Sequence, residues 1–218
     1  MPTHFRTLDA HDRMPASPGL PSMTAMRPLL MLALALFTTR SQAQQDRFDI
    51  WKGDAIIGSV LAKRVVNEDR THYLMTSYSE LDMLWKQVVR SLVWTEYRNG
   101  SVSSCHTHVK VNSTVRDSSH FAPRADDMLC FVHPDERFVH EGRVEWTTAR
   151  MYFEEPVGQH SIFVESVLKP CTLKRTGPGT YQLLLPGDKV NTYTYRNGRL
   201  EEIHVDRSLF DLVFKRDG

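Results

Sequence analysis

The chain has 218 residues, of which 41% are hydrophobic and 24% are charged, the composition of an ordinary globular protein rather than a disordered or fibrous one. Its 27 basic and 26 acidic side chains leave a formal net charge of +1. A chain with so little net charge has no long-range positive field, which argues against a nucleic-acid partner.

An apolar run near the N-terminus predicts export. Met26-Arg27-Pro28 precedes the run Leu29 to Phe37, and Ser41-Gln42-Ala43 follows it. Because this order of basic, apolar and small-residue regions is typical of a secretory signal peptide, we predict a leader over residues 26–43, cleavage after Ala43 and a periplasmic or extracellular protein. The run is shorter than the roughly 20 apolar residues that cross a bilayer, so no stable transmembrane segment is expected after cleavage.

The residues on either side of the leader differ in character. Residues 1–25 have no apolar period and are predicted to be a disordered extension or an error in the assigned start, with Met1, Met23 and Met26 as candidate initiators. Residues 44–218 contain no linker or shift in composition, so a single β-rich domain is predicted there.

Short β-forming runs separated by turn residues follow the leader, and no stretch of a dozen residues has apolar positions at helical spacing. Gly53 and the pairs Asn99-Gly100 and Asn197-Gly198 predict tight hairpin turns. Gly58, inside a strand, predicts a bulge or bend. The predicted strands, in chain order, are 48–51, 55–66, 71–82, 84–97, 101–111, 128–133, 137–140, 162–167, 181–185, 192–196, 199–205 and 209–214.

Two stretches are not predicted to be strands. Residues 117–127 are polar and contain Pro123, which predicts a loop, and residues 142–150 predict at most one short helix. The fold class is therefore all-β: an antiparallel meander that forms a curved half-open sheet or an up-and-down barrel.

Three cysteines, Cys105, Cys130 and Cys171, follow the leader. An exported location would allow one disulfide with one thiol left over, and the sequence does not select among the pairings. We expect all three to be small apolar residues of the core.

A cluster of aromatic rings and carboxylates marks a candidate ligand site. The segment Tyr152-Phe153-Glu154-Glu155-Pro156 is followed by Glu165. Paired carboxylates could serve as acid and base in a hydrolase, or the aromatic rings could pack while the glutamates face water. The strand 84–97 has apolar residues on both faces, which fits either a wall between an inner cavity and a covering layer or a simple irregularity of the pattern. The predicted ligand-binding residues are Tyr152, Phe153, Glu155, Glu165, Trp85 and Trp94.

Two histidines are weak candidates for metal ligands. His106 and His108 are two apart on a strand, so that both imidazoles point to one face and could bind one ion. No paired cysteine motif accompanies them, and no metal site is predicted. The candidates for a third ligand are His72, His120, His133, His140, His160 and His204.

Sequence motifs for cofactors and nucleophiles are missing. The chain has no G-x-x-x-x-G-K-[ST] or G-x-G-x-x-G loop, so no nucleotide cofactor is predicted. It also lacks the G-x-S-x-G setting of a nucleophilic serine.

The order of motifs along the chain resembles an uncharacterised family of exported bacterial proteins, domain of unknown function 6134, from about Phe48 to Lys215. Members tend to have a small residue before the glutamate at Glu165 and a glycine shortly after, where this chain has Val164 and Leu168. The resemblance implies export and a β-rich fold, with no known catalytic residues to transfer. The motifs that carry it are Phe48-Asp49-Ile50, Lys52-Gly53-Asp54, Ile57-Gly58-Ser59, Asn99-Gly100, Tyr152 to Pro156, Glu165 and Asn191 to Gly198.

Export and a curved sheet, without a catalytic motif, favour a non-catalytic binding or accessory protein with a groove for a hydrophobic small molecule. The alternative is a protein-interaction module of the cell envelope that uses a sheet edge or the Tyr152 to Pro156 segment. A hydrolase that uses Glu154, Glu155 or Glu165 is the third interpretation.

Overall fold

The computed structural model describes residues 42–82, 85–124, 127–206 and 211–218. The extension 1–25 and most of the predicted leader, up to residue 41, lie outside the described residues. The last two leader residues, Gln42 and Ala43, are described and lie in the first strand.

The described residues form a nearly all-β fold, as predicted, with a single short helix. The helix, α1, spans Thr148–Met151, and no helix of the described part has the length and apolar character to cross a membrane. The strands are β1 (Gln42–Lys52), β2 (Ala55–Asn67), β3 (Arg70–Asp82), β4 (Lys86–Arg98), β5 (Ser101–Val111), β6 (Thr114–Arg124), β7 (Asp127–Val132), β8 (Glu136–His140), β9 (Ser161–Val164), β10 (Lys169–Gly177), β11 (Thr180–Leu185), β12 (Lys189–Arg196), β13 (Arg199–Val205) and β14 (Leu212–Arg216).

All 14 strands belong to one antiparallel sheet. Strands that follow one another in the chain pair along β1–β8 and along β9–β14, and β1 also pairs with β14. The two sheet edges are therefore β8 and β9, the strands on either side of the one long connection, residues 141–160. This topology confirms the predicted meander.

The sheet curves until its two edges come close together. Lys169, at the start of β10, forms a 2.8 Å ion pair with Glu136 on β8. The ring of Phe163 on β9 lies 5.2 Å from the ring of His140 on β8 and 5.3 Å from that of Phe121 on β6. Side chains thus bridge the seam between β8 and β9, and the sheet is a half-open barrel.

Side-chain alternation produces the barrel interior. On β1, Phe48 and Ile50 are buried, whereas Arg47 is exposed and Asp49 is half-buried. Tyr193 and Tyr195 form the same inward row on β12. The period of two is the one that places alternate side chains on one face of a strand.

The connection between β8 and β9 lies on the inward face. Val102 at the start of β5 donates its backbone N–H to the carbonyl of Val144 at 2.7 Å. Ala149 and Met151 of α1 are fully buried, and the Tyr195 hydroxyl donates to the Met151 carbonyl at 2.6 Å. This part of the interior is therefore filled by the protein's own helix, which leaves little room for the apolar groove expected from the sequence.

The turns follow the predicted chemistry. Asn99 and Gly100 have φ of 51° and 76°, and Asn197 and Gly198 have φ of 53° and 75°. Asparagine and glycine are the residues that best tolerate positive φ at both central positions of a hairpin turn. The predicted irregularity near Gly58 is also present, since the β1–β2 register shifts beside it.

The loop predicted over residues 117–127 is wrong, because β6 extends to Arg124. Ser119 is 1% exposed, and its hydroxyl forms hydrogen bonds with the Thr107 hydroxyl at 2.7 Å and the Glu165 carbonyl at 2.5 Å. The polar side chains of β6 can therefore be buried, because they find hydrogen-bond partners inside the barrel. The composition of residues 117–127 gave no sign of these partners. β10 was also missed, because most of its side chains are exposed and polar.

The three cysteines are free and buried, as expected. Burial raises the pKa of all three thiols, that of Cys130 to about 11. Because the thiolate is the reactive form, we expect none of the three to react rapidly with a disulfide reagent in the native protein at mildly alkaline pH, and all three to react in concentrated guanidinium chloride. Fast labelling of one thiol in the native state would contradict this prediction.

Candidate functional site

Glu165 lies at the start of α1 and is 1% exposed. Its carboxylate accepts the backbone N–H of Thr148 at 3.1 Å and that of Ala149 at 2.9 Å. It also accepts the hydroxyls of Thr148 and, at 3.3 Å, Thr95. The first backbone N–H groups of a helix have no partner within the helix, and Glu165 supplies their acceptor.

The turn after β9 brings Glu165 under the helix. Leu168 ends this turn with φ of 52°, in the left-handed region that glycine prefers, and its side chain is fully buried. Here the buried leucine side chain offsets the cost of that conformation by packing in the core.

Thr147 completes the anchoring of α1 as its N-cap. Its hydroxyl accepts the backbone N–H of Arg150 at 3.4 Å and the hydroxyl of Tyr97 at 3.0 Å. Thr147 and Glu165 together form a buried hydrogen-bond network that accepts the backbone N–H groups at the start of α1. This network holds the helix against β4 and β9.

Glu154, just after α1, lies between two arginines. Its Oε2 accepts Nε and Nη2 of Arg150 at 2.8 and 2.7 Å, while Oε1 lies 3.4 Å from Nη2 of Arg64. The Tyr73 hydroxyl also donates to Oε1 at 3.4 Å, and burial together with the Glu154 charge raises the pKa of Tyr73 to about 12.

The three carboxylates of the hydrolase hypothesis have separate partners. Glu155 accepts the hydroxyl of Tyr181 at 2.8 Å, Glu154 is shared by Arg150 and Arg64, and Glu165 caps the helix. No hydrogen bond links one of these three carboxylates to another, and each is held by its own donors.

The aromatic residues of the predicted segment point into the barrel. The ring of Tyr152 packs edge-on against Phe48 at 5.4 Å, and the ring of Phe153 lies 5.6 Å from Tyr73. Both rings are half-buried and pack against the core.

The two tryptophans predicted to bind ligand lie elsewhere. Trp85 is 63% exposed in the bend before β4. Trp94 lies on the outer face of β4, directly opposite His106 on β5 and 6.1 Å from the ring of His72. The structure therefore brings Tyr152, Phe153, Glu155 and Glu165 to the inward side and separates both tryptophans from them.

The two candidate metal ligands share the outer face, as their spacing predicts. The ring centroids of His106 and His108 are 5.7 Å apart, and His120 on β6 lies 6.0 Å from His106. Burial, and then the imidazoles of His108 and His120, lower the pKa of His106. Within the described ranges, no group of three or more His, Cys, Asp or Glu side chains is placed so that it could hold a metal ion.

Two cavities open at the end of the sheet where the β2–β3 and β4–β5 hairpins turn. We call this region the barrel mouth, and Arg64 lines both cavities. One has a volume of about 400 Å³ and is lined by Gln42, Ala43, Gln44, Arg64 and Val66; the other has about 130 Å³ and is lined by Arg64, Asp69, Thr71, Tyr73, Tyr97, Gly100, Arg150 and Glu154.

Arg64 lacks a full set of acceptors. Its Nε is closed to solvent and has no hydrogen-bond partner, although the side chain as a whole remains 29% exposed. Two carboxylates of this region are already engaged, since Glu154 binds Arg150 through two hydrogen bonds and Asp46 pairs with the buried Arg216. Asp69, which lines the smaller cavity, lies 4.0 Å from Arg70. A buried donor of a charged group without an acceptor is costly, so the arrangement favours an additional anion.

Sequence reasoning missed Arg64. It follows Val60 and Ala62 on the inward row of β2, where both of those residues are buried. The sequence pattern that could have indicated it is an arginine that continues the every-second-position row of the apolar residues Val60 and Ala62.

Another cavity, of about 210 Å³, lies at the seam beside Trp146 and His140. The arginine in its lining is Arg143, which donates to the Asn99 carbonyl at 3.3 Å. This guanidinium therefore already has an acceptor within the protein.

Comparison with known proteins gives a family and a fold. The family model described as "Domain of unknown function (DUF6134)" matches residues 48–217. No curated protein matches the chain. The solved "Beta-barrel-like Protein of Domain of Unknown Function DUF1849 from Brucella abortus" is similar, with a TM-score of 0.51, 9% identity, and coverage of 83% of this chain and 98% of that chain. At this identity the likeness shows the fold alone.

Proposed function

We propose that this chain, which belongs to the DUF6134 family, is an exported, non-catalytic binding protein whose ligand places an anionic group against Arg64 in the barrel mouth. The main support is the Nε of Arg64, which is buried without an acceptor beside two cavities. Guanidinium groups bind carboxylates and phosphates through paired N–H donors, and a small turn of the side chain would present that edge to the mouth.

The ligand is proposed to be a small molecule with an apolar part as well as an anionic group. Tyr73, Tyr97 and Val66 line the cavities beside Arg64, while α1 fills the deeper interior. A short-chain carboxylic acid fits both features better than a large lipid, which retains the hydrophobic ligand predicted from the sequence but limits its size.

Export is proposed from the leader. Cleavage after Ala43 is compatible with the fold, since β1 begins to pair with β14 only at Phe48, and residues 42–45 are exposed. Removal of Gln42 and Ala43 would also take away two residues that line the larger cavity.

Octanoate is the probe that tests the site, with 1-octanol as its neutral counterpart. In calorimetric titrations of the exported protein we expect octanoate to bind and octanol not to bind. The substitution Arg64→Met should weaken octanoate binding roughly 10- to 100-fold, because a hydrogen bond to a charged group contributes about 1.5–3 kcal/mol. The intact mass of the same preparation reports whether cleavage occurred after Ala43.

Arg47→Met is the matched control, because Arg47 is 57% exposed and pairs with Asp49 and Asp217 outside the mouth. It removes the same charge and should leave octanoate binding unchanged. Equal binding of octanol, or undiminished octanoate binding by Arg64→Met protein that unfolds like the wild type, would overturn the anion site.

A further inference from the structure

Three histidines are neighbours on the outer face of β5 and β6, whereas Arg64 and the barrel mouth lie on the inner face. His106 and His120 are directly opposite each other in the strand register, and His108 follows two residues along β5. We infer that this histidine cluster, His106, His108 and His120, is a binding site for one divalent transition-metal ion. The inference does not depend on the proposed function.

The spacing of the rings suits a shared ion. The centroid of His106 lies 5.7 Å from that of His108 and 6.0 Å from that of His120. Two imidazoles on one zinc ion have centroids about 5 Å apart, because each Zn–N bond is about 2.0–2.1 Å long. As these side chains stand in the described part of the chain, no group of three could hold an ion, so binding requires the rings to turn inward. The broad χ2 torsion of histidine permits such a rotation.

The positions that face the cluster on β4 carry no charge. They are Trp94, opposite His106, and Leu92, opposite His108. No cationic side chain at these two positions would therefore repel a metal ion.

The facing residues on β6 and β7 add no carboxylate ligand, so the protein would bind the ion through imidazole nitrogens. Opposite His108 on β6 is Ser118, and opposite His120 on β7 is Phe131, so the directly facing positions supply no carboxylate. Three imidazoles leave at least one position on the ion for water. Imidazole sites bind Cu²⁺, Ni²⁺ and Zn²⁺, and the general order of affinity places Cu²⁺ first.

Calorimetric titration with Cu²⁺ and, separately, Zn²⁺ tests the inference, using protein made from the full-length chain without a histidine tag. We expect one ion per chain, tighter binding of Cu²⁺ than of Zn²⁺, and nitrogen couplings from imidazole in the electron paramagnetic resonance spectrum of the Cu²⁺ complex. His120→Ala, at an exposed position, should weaken Cu²⁺ binding at least tenfold, and His106→Ala should weaken it further.

His204→Ala is the control, since His204 is 48% exposed on β13 and pairs with Asp211. Circular dichroism and thermal unfolding without metal establish that each variant is folded. Cu²⁺ binding that survives His120→Ala undiminished, that is lost equally in His204→Ala, or that is absent from the wild type would overturn the metal site.

Discussion

Replacing Glu165 with alanine is expected to lower the free energy of unfolding by about 4 kcal/mol, because it leaves buried donors without an acceptor. The donors are the backbone N–H groups of Thr148 and Ala149 and the hydroxyls of Thr148 and Thr95. Loss of their acceptor should release α1 from the inward face of the sheet. Urea unfolding monitored by tyrosine and tryptophan fluorescence measures the change.

Two further substitutions separate this effect from a general loss of charge. Glu155→Ala removes one hydrogen bond, from Tyr181, and should cost about 1 kcal/mol or less. Glu165→Gln keeps one acceptor oxygen but turns an amide N–H₂ toward a donor, so its stability should lie between those of the wild type and Glu165→Ala. If Glu165→Ala unfolds at the same urea concentration as Glu155→Ala, Glu165 does not anchor the helix.

Gly58→Ala is expected to destabilise the sheet by about 3 kcal/mol. A Cβ at this position would lie 2.6 Å from Cα of Ser79 on β3 and closer still to the carbonyl oxygen of Tyr78. Both atoms belong to the backbone, so the clash can be relieved only by moving β2 away from β3. Gly58 pairs with Ile50 on one side and Ser79 on the other, and the displacement would therefore affect both ladders.

Gly53→Ala provides the comparison for Gly58→Ala. Gly53 has φ of 57°, and a Cβ there would meet no atom within 4 Å. Its substitution should cost only the 1–2 kcal/mol or so of a left-handed alanine. Equal stability of the two variants would show that the close approach of β2 and β3 at Gly58 is not a constraint on the fold.

Local patterns were sufficient to predict most of the fold. Alternation between buried and less buried positions, as at Phe48, Asp49 and Ile50, follows from the period of the strand, and the positive φ of Asn99 and Gly100 follows from the residue types of the turn. The short helix at Thr148–Met151 begins in the stretch 142–150, where a helix was expected, and ends one residue beyond it. The strand β6 was missed because the partners of Ser119 come from β5 and from Glu165, which is 46 residues away along the chain.

The candidate sites depended far more on long-range register. Glu165 and the Tyr152 to Pro156 segment were predicted to bind a ligand, and in the structure their contacts are with the helix and the core. Arg64 was overlooked because a single arginine on a strand resembles any exposed cation. Its partial burial and its ion pair with Glu154 join residues 90 positions apart in the chain. The third histidine of the cluster was one of six equal candidates until the β5–β6 register placed His120 opposite His106.

The sequence alone was enough to predict an exported, antiparallel β-sheet protein, from its composition, apolar leader, alternating strands and glycine turns. The structure contains the predicted sheet. These features are local, because backbone sterics and side-chain period act within a few residues. Three other features depend on contacts between residues far apart in the chain. They are the pairing of β1 with β14, the burial of α1 inside the barrel and the Nε of Arg64 that has no acceptor. Such contacts depend on the packing of the whole sheet, which no short window of sequence contains.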